Sequence, residues 1–129
     1  MAGDRQAERR DSTSPALPVF AHLGEGGFHA RLAASPGVSV VLFTAPQCGA
    51  CRAWKRLLPE ALADVAHAFY EIDVSEATGV ARYFGIFHLP TIYLYRDGRF
   101  HAELQCQAAI PTIRDTAHGL LAEEAREEP

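Results

Sequence analysis

Apolar positions along the chain form two patterns, one typical of buried strands and one typical of an amphipathic helix. Residues 38–43 are almost continuously apolar and rich in β-branched side chains, which predicts a strand buried on both faces. Residues 68–74 predict a second central strand. Between them, from about residue 48 to 67, apolar residues recur at helical spacing and charged residues cover the outer face, so we expect a helix that Pro59 kinks.

The other predicted elements are, in chain order, an edge strand at 18–23, a helix at 28–34, a helix capped by Ser75 that ends near residue 83, a loop at 85–90, strands at 91–95 and 99–104 around an Asp97-Gly98 turn, and a last helix opened by Pro111. The resulting order is βαβαβαββα. Crossover helices make the early strand pairs parallel, and the hairpin makes the last pair antiparallel. We therefore expect an α/β protein with a central mixed sheet of four to five strands flanked by helices.

Length and composition indicate one globular domain. A chain of 129 residues is long enough to bury a core, and 48% hydrophobic with 22% charged residues is ordinary for a globular protein. We assign residues 16–124 to the domain, residues 1–15 to a polar disordered tail and residues 125–129 to an acidic solvated end. The net charge of −4 leaves no basic stripe for phosphates, which argues against nucleic acid as a partner.

Targeting signals and cysteine usage indicate the compartment. The first twenty residues carry charges where a signal peptide needs an apolar core, and no apolar run is long enough to cross a bilayer. Three cysteines are too few for a disulfide framework. We expect a cytoplasmic protein that does not bind a membrane, in a reducing compartment where a C-x-x-C pair is more often catalytic than structural.

The pair Cys48 and Cys51 has C-x-x-C spacing and lies at the predicted strand-to-helix junction. Free backbone N–H groups and the positive end of the helix dipole stabilise a thiolate in the first helical turn, and a thiol one turn deeper feels much less of this effect. Cys48 is therefore the expected nucleophile and Cys51 the expected resolving thiol.

Half of a zinc site is the alternative interpretation of this pair. A closed zinc site needs four ligands, and the sequence has no second C-x-x-C or C-x-x-H, so Cys106 and a histidine would have to complete it. The strand-to-helix setting favours dithiol redox chemistry over zinc. A scaffold whose cysteines are idle is the third interpretation.

These segments together resemble the thioredoxin family over roughly residues 18–124. The resemblance rests on Phe43 through Cys51, Asp73, the segment 84–91, and Asp97-Gly98. In that family the proline matching Pro90 is cis, lies beside the cysteines and presents backbone groups that hold a substrate chain as an added strand. The resemblance implies this role for Pro90, with Leu89 supplying the pairing groups, and an ordinary loop proline is the alternative.

Two departures from the family pattern bear on mechanism. Thioredoxins usually have a tryptophan before the first cysteine and a proline before the second, where this chain has Gln47 and Ala50, a change that can move the reduction potential. They also carry a buried aspartate on the strand below, paired with a lysine on the next strand; here those positions are Leu42 and Glu71. The resemblance implies that Glu71, buried without a cation, takes the proton of the resolving thiol, and the alternative is that it reaches solvent.

Two more residues are expected near the cysteines. Cys106 stands where the family usually has a groove-lining glycine, so it could form a regulatory disulfide, a glutathione adduct or a metal ligand, or be a buried filler. His88 precedes Pro90 closely and could tune the thiolate or contact substrate. The predicted catalytic residues are Cys48, Cys51 and Glu71, and the predicted substrate-binding residues are Gln47, His88, Leu89, Pro90 and Cys106.

The resemblance implies a thiol-disulfide oxidoreductase that reduces or exchanges disulfides in protein substrates, without a bound cofactor. Thioredoxin reductase or a glutathione system is the implied electron donor. The rival function is a binding or accessory module for a specific client, with the cysteines as a redox switch or metal ligands. A third possibility is an iron-sulfur or zinc dimer that uses Cys48, Cys51 and partner thiols.

Overall fold

The computed structural model describes residues 20–129. In this range the elements are β1 (Ala21–His22), α1 (Phe28–Ala33), β2 (Val38–Thr44), α2 (Gly49–Leu62), β3 (Ala66–Asp73), α3 (Thr78–Phe84), β4 (Thr91–Arg96), β5 (Arg99–Glu103) and α4 (Ile110–Ala122). Their order is the predicted βαβαβαββα. The tail predicted at residues 1–15 and the start of the strand predicted at 18–23 lie outside the described residues.

The strands form one five-stranded sheet in the order β1-β3-β2-β4-β5. β3 pairs in parallel with both β1 and β2, whereas β4 pairs antiparallel with both β2 and β5. The predicted mixed sheet is confirmed, and the short β1 is an edge strand as expected. β2, whose end leads to the two cysteines, lies in the centre.

Alternation along β2 builds a core on each side of the sheet. Val40 and Leu42 belong to the cluster formed with α2 and α4. Val41 and Phe43 belong to the cluster formed with α1 and α3. Because helices cover both faces, residues 38–43 are all buried, in agreement with their continuous apolar character.

α2 is shorter than the apolar spacing predicts. It ends at Leu62, and the prediction of a helix to residue 67 is wrong because the chain is already in β3 from Ala66. Ala66 pairs with Val38 at the start of the β2–β3 ladder, so strand pairing overrides the local helical pattern. Pro59 lies within α2, which continues through it.

The start of α3 also differs from the prediction. Ser75 does not cap this helix, which begins at Thr78; the backbone N–H and hydroxyl of Ser75 instead donate to Oδ1 of Asp73 over 2.8 and 2.6 Å. The carboxylate of Glu25 accepts the backbone N–H of Gly79, at 2.9 and 3.1 Å from its two oxygens. A distant side chain therefore satisfies a donor of the first helical turn.

The predicted hairpin between β4 and β5 is confirmed. Asp97 and Gly98 both have positive φ, 51° and 82°, as a two-residue turn of the Asp-Gly type requires. Gly98 also packs against α1: a Cβ atom added to it would lie 2.7 Å from Cα of Ala33. Glycine is therefore required here both for the turn and for the close approach.

The C-terminal residues return to the edge of the sheet. Beyond α4, the backbone N–H of Arg126 donates to the carbonyl of His101 in β5 over 2.6 Å. The Tyr83 hydroxyl donates to the Glu128 carboxylate over 3.2 Å. The side chains of residues 125–129 are exposed, as an acidic solvated end predicts, but the backbone of this segment is anchored on β5.

Candidate functional site

Cys48 and Cys51 lie where β2 leads into α2 and are joined by a disulfide bond. Their Cα atoms are 5.2 Å apart. Cys48 has an extended backbone and is the N-cap residue of α2, whereas Cys51 lies in the first turn of the helix. The structure thus places the pair at the strand-to-helix junction that the sequence predicts.

The helix N-terminus acts directly on the sulfur of Cys48. The backbone N–H of Cys51 donates to Sγ of Cys48 over 3.1 Å. After reduction, this N–H and the positive end of the helix dipole stabilise a thiolate at the same position. Cys51 is 2% exposed and Cys48 is half-buried, so access from solvent favours Cys48 as the attacking thiol.

A cavity of about 320 Å³ lies beside the disulfide, and both cysteines line it. The rest of its lining is the end of β2 and the loop after it, together with five charged or ionisable side chains: His22, Arg52, Lys55, Glu71 and Asp73. Cys51 is 2% exposed, so this polar cavity places charged and ionisable groups beside a nearly buried cysteine.

The pairing of β2 with β3 brings Glu71 to this cavity. Glu71 lies opposite Leu42 in the parallel ladder, and its carboxylate is 2.9 Å from Nζ of Lys55. The side chain of Glu71 is 18% exposed, against 47% for Lys55. The expectation that this carboxylate lacks a cation is therefore wrong, because Lys55 reaches it from α2.

Lys55 is a site residue that the sequence pattern does not reveal. Helical spacing places it on the outer face of α2, with other charged residues. Its long apolar stem lets the ammonium group extend from the helix to the sheet, where Nζ lies 6.0 Å from the ring centroid of Phe20. The available signal is its position one helical turn beyond Cys51.

Asp73 ends β3 and lines the same cavity. Hydrogen bonds from the hydroxyl and the backbone N–H of Ser75 hold the pKa of Asp73 below its ordinary value. Asp73 is therefore a fixed negative charge at neutral pH, and such a group is a poor proton carrier there. Proton transfer by Glu71 stays a prediction.

The loop before β4 carries three of the predicted substrate-binding residues. The Leu89–Pro90 peptide bond is cis, both of these residues are half-buried, and His88 is exposed. The Thr91 hydroxyl donates to the carbonyl of His88 over 2.7 Å, which closes the loop. Gln47, on the segment before Cys48, is exposed. Substrate binding by these residues stays a prediction.

Cys106 is a free, half-buried thiol that packs against the core cluster on the α2 and α4 side of the sheet. It does not line the cavity that contains Cys48. Burial raises the pKa of the Cys106 thiol, and a hydrogen bond with Thr116 offsets part of this rise. Since the thiolate is the reactive form, this environment favours a packing role, and the predicted regulatory role stays a prediction.

Two further findings concern all of the described residues. No group of three or more His, Cys, Asp or Glu side chains within residues 20–129 is arranged to hold a metal ion. None of the helices in this range has both the length and the apolar character that a bilayer crossing requires.

The sequence profile of the family described as Thioredoxin matches residues 19–118. In Arabidopsis thaliana, NADPH-dependent thioredoxin reductase 3 is 32% identical over 83 residues, which cover 63% of this chain and 16% of that protein. Thioredoxin M4, chloroplastic, from the same plant is 29% identical over 93 residues, which cover 70% of this chain and 48% of that protein. The chain thus spans less than half the length of either relative.

The fold is similar to that of oxidised mitochondrial thioredoxin 3 from Saccharomyces cerevisiae, with a TM-score of 0.61. The two chains are 22% identical, and the superposition covers 81% of this chain and 95% of the yeast protein. At this level of identity the likeness concerns the fold alone.

Proposed function

The chain belongs to the thioredoxin family and has the thioredoxin fold, and from this membership we propose that it reduces disulfide bonds in protein substrates. The family match and the joined Cys48–Cys51 pair support thiol-disulfide oxidoreductase chemistry in general. The observation that carries the proposal is the position of Cys48, which is accessible and whose sulfur accepts a backbone N–H at the start of α2.

In the first step, the Cys48 thiolate attacks one sulfur of the substrate disulfide. A Cys48–substrate disulfide forms, the substrate S–S bond breaks, and the second substrate sulfur leaves as a thiolate with the bonding electron pair. In this proposal the substrate chain lies along Leu89 and Pro90 as an added strand.

In the second step, Cys51 attacks the sulfur of Cys48. Cys51 first loses its proton, for which Glu71 is the proposed acceptor, through water in the cavity that both residues line. The Cys48–Cys51 bond forms and the substrate sulfur leaves as a thiolate. The net result is the transfer of two electrons from the protein dithiol to the substrate.

Further turnover needs a donor of two electrons and two protons to reopen the Cys48–Cys51 disulfide. We propose a thioredoxin reductase or a glutathione system in the cytoplasm. The similarity to a plant NADPH-dependent thioredoxin reductase, over 16% of that protein, is consistent with the first donor. Neither exchange step requires a bound cofactor, because the sulfur atoms of the cysteines and of the substrate carry the electrons in both steps.

A binding module for one specific client is the second candidate. The fully buried Leu42 takes the place of the family's aspartate, and Gln47 and Ala50 replace the usual tryptophan and proline around the cysteines. These changes favour a specialised client over general reductase duty, with the cysteines as a redox switch.

Single cysteine variants distinguish the two candidates in an assay of protein disulfide reduction. We expect Cys48→Ser to abolish reduction, Cys51→Ser to accumulate the mixed disulfide, and Cys106→Ser to reduce at the normal rate. If the parent protein reduces nothing and Cys48→Ser keeps the client and its biological effect, the binding module is the correct function. The reduction potential of the Cys48–Cys51 pair then decides the direction of electron flow between protein and substrate, since a strongly oxidising value would indicate an oxidase or isomerase.

A further inference from the structure

A second cavity, of about 420 Å³, lies between α3 and the loop that leads to Pro90. Its lining includes Val74, Ile86 and Leu89, which also pack against the core cluster on the α1 and α3 side. The cavity therefore has an apolar floor that the core holds in place. Cys48, Cys51 and Glu71 do not line it.

Phe87 lines this cavity and is 94% exposed. Among residues 20–129, Phe87 and Tyr83 are the only large hydrophobic side chains that are exposed. A single exposed apolar residue is ordinary on a protein surface, but Phe87 is continuous with an apolar cavity. Such a combination is typical of a surface that another molecule covers.

The end of α3 determines where Phe87 lies. Gly85 has a φ of 65°, and the N–H groups of Gly85 and Ile86 donate to the carbonyls of Arg82 and Ala81 over 3.1 and 2.9 Å. These two bonds form a Schellman helix end, which favours glycine at the left-handed position. The exposure of Phe87 is therefore built into a hydrogen-bonded turn.

Among the described residues that line this cavity, Arg82 is the one that carries a charge. Its side chain is exposed, and within the part of the chain that the structure describes no carboxylate forms an ion pair with it. A guanidinium that has no carboxylate partner within residues 20–129 and lies beside an apolar floor favours a ligand that carries both an apolar group and a carboxylate.

We propose that this cavity selects the protein substrate by binding an apolar side chain and a neighbouring carboxylate from the segment that carries the reacting cysteine. The apolar side chain packs on Phe87 and the floor, and the carboxylate pairs with Arg82. Leu89 belongs both to the cavity and to the segment on which the substrate strand docks, so one continuous substrate chain covers both. The proposal rests on the reductase function proposed above.

The test separates recognition from sulfur chemistry. Peptides with one cysteine, linked by a disulfide to 2-thiopyridine, react with the reduced Cys51→Ser/Cys106→Ser protein. The Cys48 thiolate attacks the peptide sulfur, a Cys48–peptide disulfide forms, and the pyridine sulfur leaves with the electron pair, which gives an absorbance signal. A Leu-Asp pair is moved along the peptide one residue at a time, on both sides of the cysteine, and Ala-Asp and Leu-Lys peptides are compared with it. The small reagent 2,2′-dithiodipyridine measures the intrinsic reactivity of Cys48.

With the Leu-Asp pair at the distance from the cysteine that gives the fastest reaction, the Leu-Asp peptide is expected to react about tenfold faster than either comparison peptide. Phe87→Ala removes the preference for Leu, Arg82→Gln removes the preference for Asp, and Arg82→Glu reverses it in favour of Lys. The reaction with 2,2′-dithiodipyridine is unchanged in all three. Two controls keep the full preference: Tyr83→Ala, the exposed aromatic outside the cavity, and Arg114→Glu, an exposed arginine on α4.

Equal rates for all peptides in every register, with normal reaction of 2,2′-dithiodipyridine, would overturn the specificity site and leave the reductase proposal intact. Failure of Cys48 to react with 2,2′-dithiodipyridine would overturn the reductase function itself. Because Phe87 and Arg82 are exposed, their variants are expected to keep the circular dichroism spectrum and melting temperature of the parent protein. A preference that survives both Phe87→Ala and Arg82→Gln would place the recognition elsewhere.

Discussion

Glu71 and Lys55 form an ion pair with 2.9 Å between carboxylate and ammonium, although Glu71 lies on the sheet and Lys55 on the helix that carries the cysteines. The pair brings a carboxylate to the cavity of Cys51 while the strand position of Leu42 stays apolar. Because Lys55 is half exposed, the pair contributes only about 0.5 kcal/mol to stability. Its removal therefore tests the chemistry with little effect on the fold.

Replacing Glu71 by Gln should slow the second thiol exchange, because the proposed proton acceptor is lost. We expect the mixed disulfide to decay at least about tenfold more slowly, whereas its formation at Cys48 keeps its rate. Lys55→Met should cause a smaller change of the same kind, because it leaves the carboxylate in place. Rapid-mixing measurements of both steps give the two rates, and Glu76→Gln, an exposed glutamate, is the control. An unchanged decay rate in Glu71→Gln would show that Glu71 is not the proton acceptor.

Replacing Ser39 by Ala should stabilise the protein. Ser39 lies opposite Tyr95 in the β2–β4 ladder, and within residues 20–129 neither of these buried hydroxyls has a hydrogen-bond partner. A buried hydroxyl without a partner costs roughly 1–3 kcal/mol. We expect urea unfolding to show a gain of about 1 kcal/mol for Ser39→Ala, and a change in the same direction for Tyr95→Phe.

Ser35 provides the matched control for Ser39. It is also buried, but its hydroxyl lies 2.9 Å from the Arg31 carbonyl, to which it donates, and 2.6 Å from the Tyr70 hydroxyl. Ser35→Ala should therefore lower the free energy of unfolding by about 1 kcal/mol or more. If both alanine variants are destabilised equally, Ser39 has a partner in solution and the prediction is wrong.

Replacing Gly98 by Ala should destabilise the protein by about 2 kcal/mol or more, because the new Cβ meets α1 and the backbone has a positive φ. Gly119→Ala should have the opposite effect, because Gly119 lies within α4 and an added Cβ meets no atom within 4 Å among the described residues. There the expected gain is about 0.5–1 kcal/mol from helix propensity. Thermal and urea unfolding of the two variants measure the difference, and a Gly98→Ala variant as stable as the parent protein would contradict the prediction.

Stability should fall at alkaline pH through the tyrosines of β4. Burial, and secondly the charge of Glu103, raises the pKa of Tyr93 to about 12, from an ordinary value near 10. The folded state therefore binds the phenolic proton more tightly than the unfolded state, which adds to the free energy of unfolding. This contribution is complete below pH about 10 and is lost as pH rises from about 10 to about 12. Burial raises the pKa of Tyr95 as well. Urea unfolding at increasing pH should show a shallower fall in Tyr93→Phe, and parallel curves would contradict the assignment.

Cys106 should react slowly with alkylating reagents at neutral pH, because burial raises its pKa and lowers its thiolate fraction. In a Cys48→Ser/Cys51→Ser background, iodoacetamide should modify the native protein more slowly than the urea-unfolded chain. Thr116→Val should slow the reaction further, because it removes a hydrogen bond that lowers this pKa. A native rate equal to that of the unfolded chain would show that Cys106 is open to solvent and available for regulation.

The local sequence pattern was sufficient to predict a feature where one segment determines its own structure. The apolar run of β2 needs both faces covered, the Asp97-Gly98 turn needs positive φ, and the cysteine spacing at a helix start gives Cys48 its exposure and its hydrogen bond. These features, with the strand and helix order, were predictable because their physical causes lie within a few residues.

Features that depend on distant segments were not predictable. Ala66 joins a strand because Val38 lies beside it, and the N–H of Gly79 is satisfied by Glu25 from before α1. Lys55 reaches Glu71 because the folded chain brings a helix face to the end of the sheet. Periodicity in one segment carries no information about such neighbours, so the ion pair at the site is visible only in three dimensions.

The backbone N–H of Arg126 donates to the carbonyl of His101 in β5. Among the described residues, β5 is the last strand on its side of the sheet, so its outer edge has no neighbouring strand there. An open strand edge is a template on which other chains add, and fibrous aggregates grow from such edges. The C-terminal segment covers part of this edge and surrounds it with negative charge. We therefore expect the segment after α4 to limit the association of copies of the protein at high concentration.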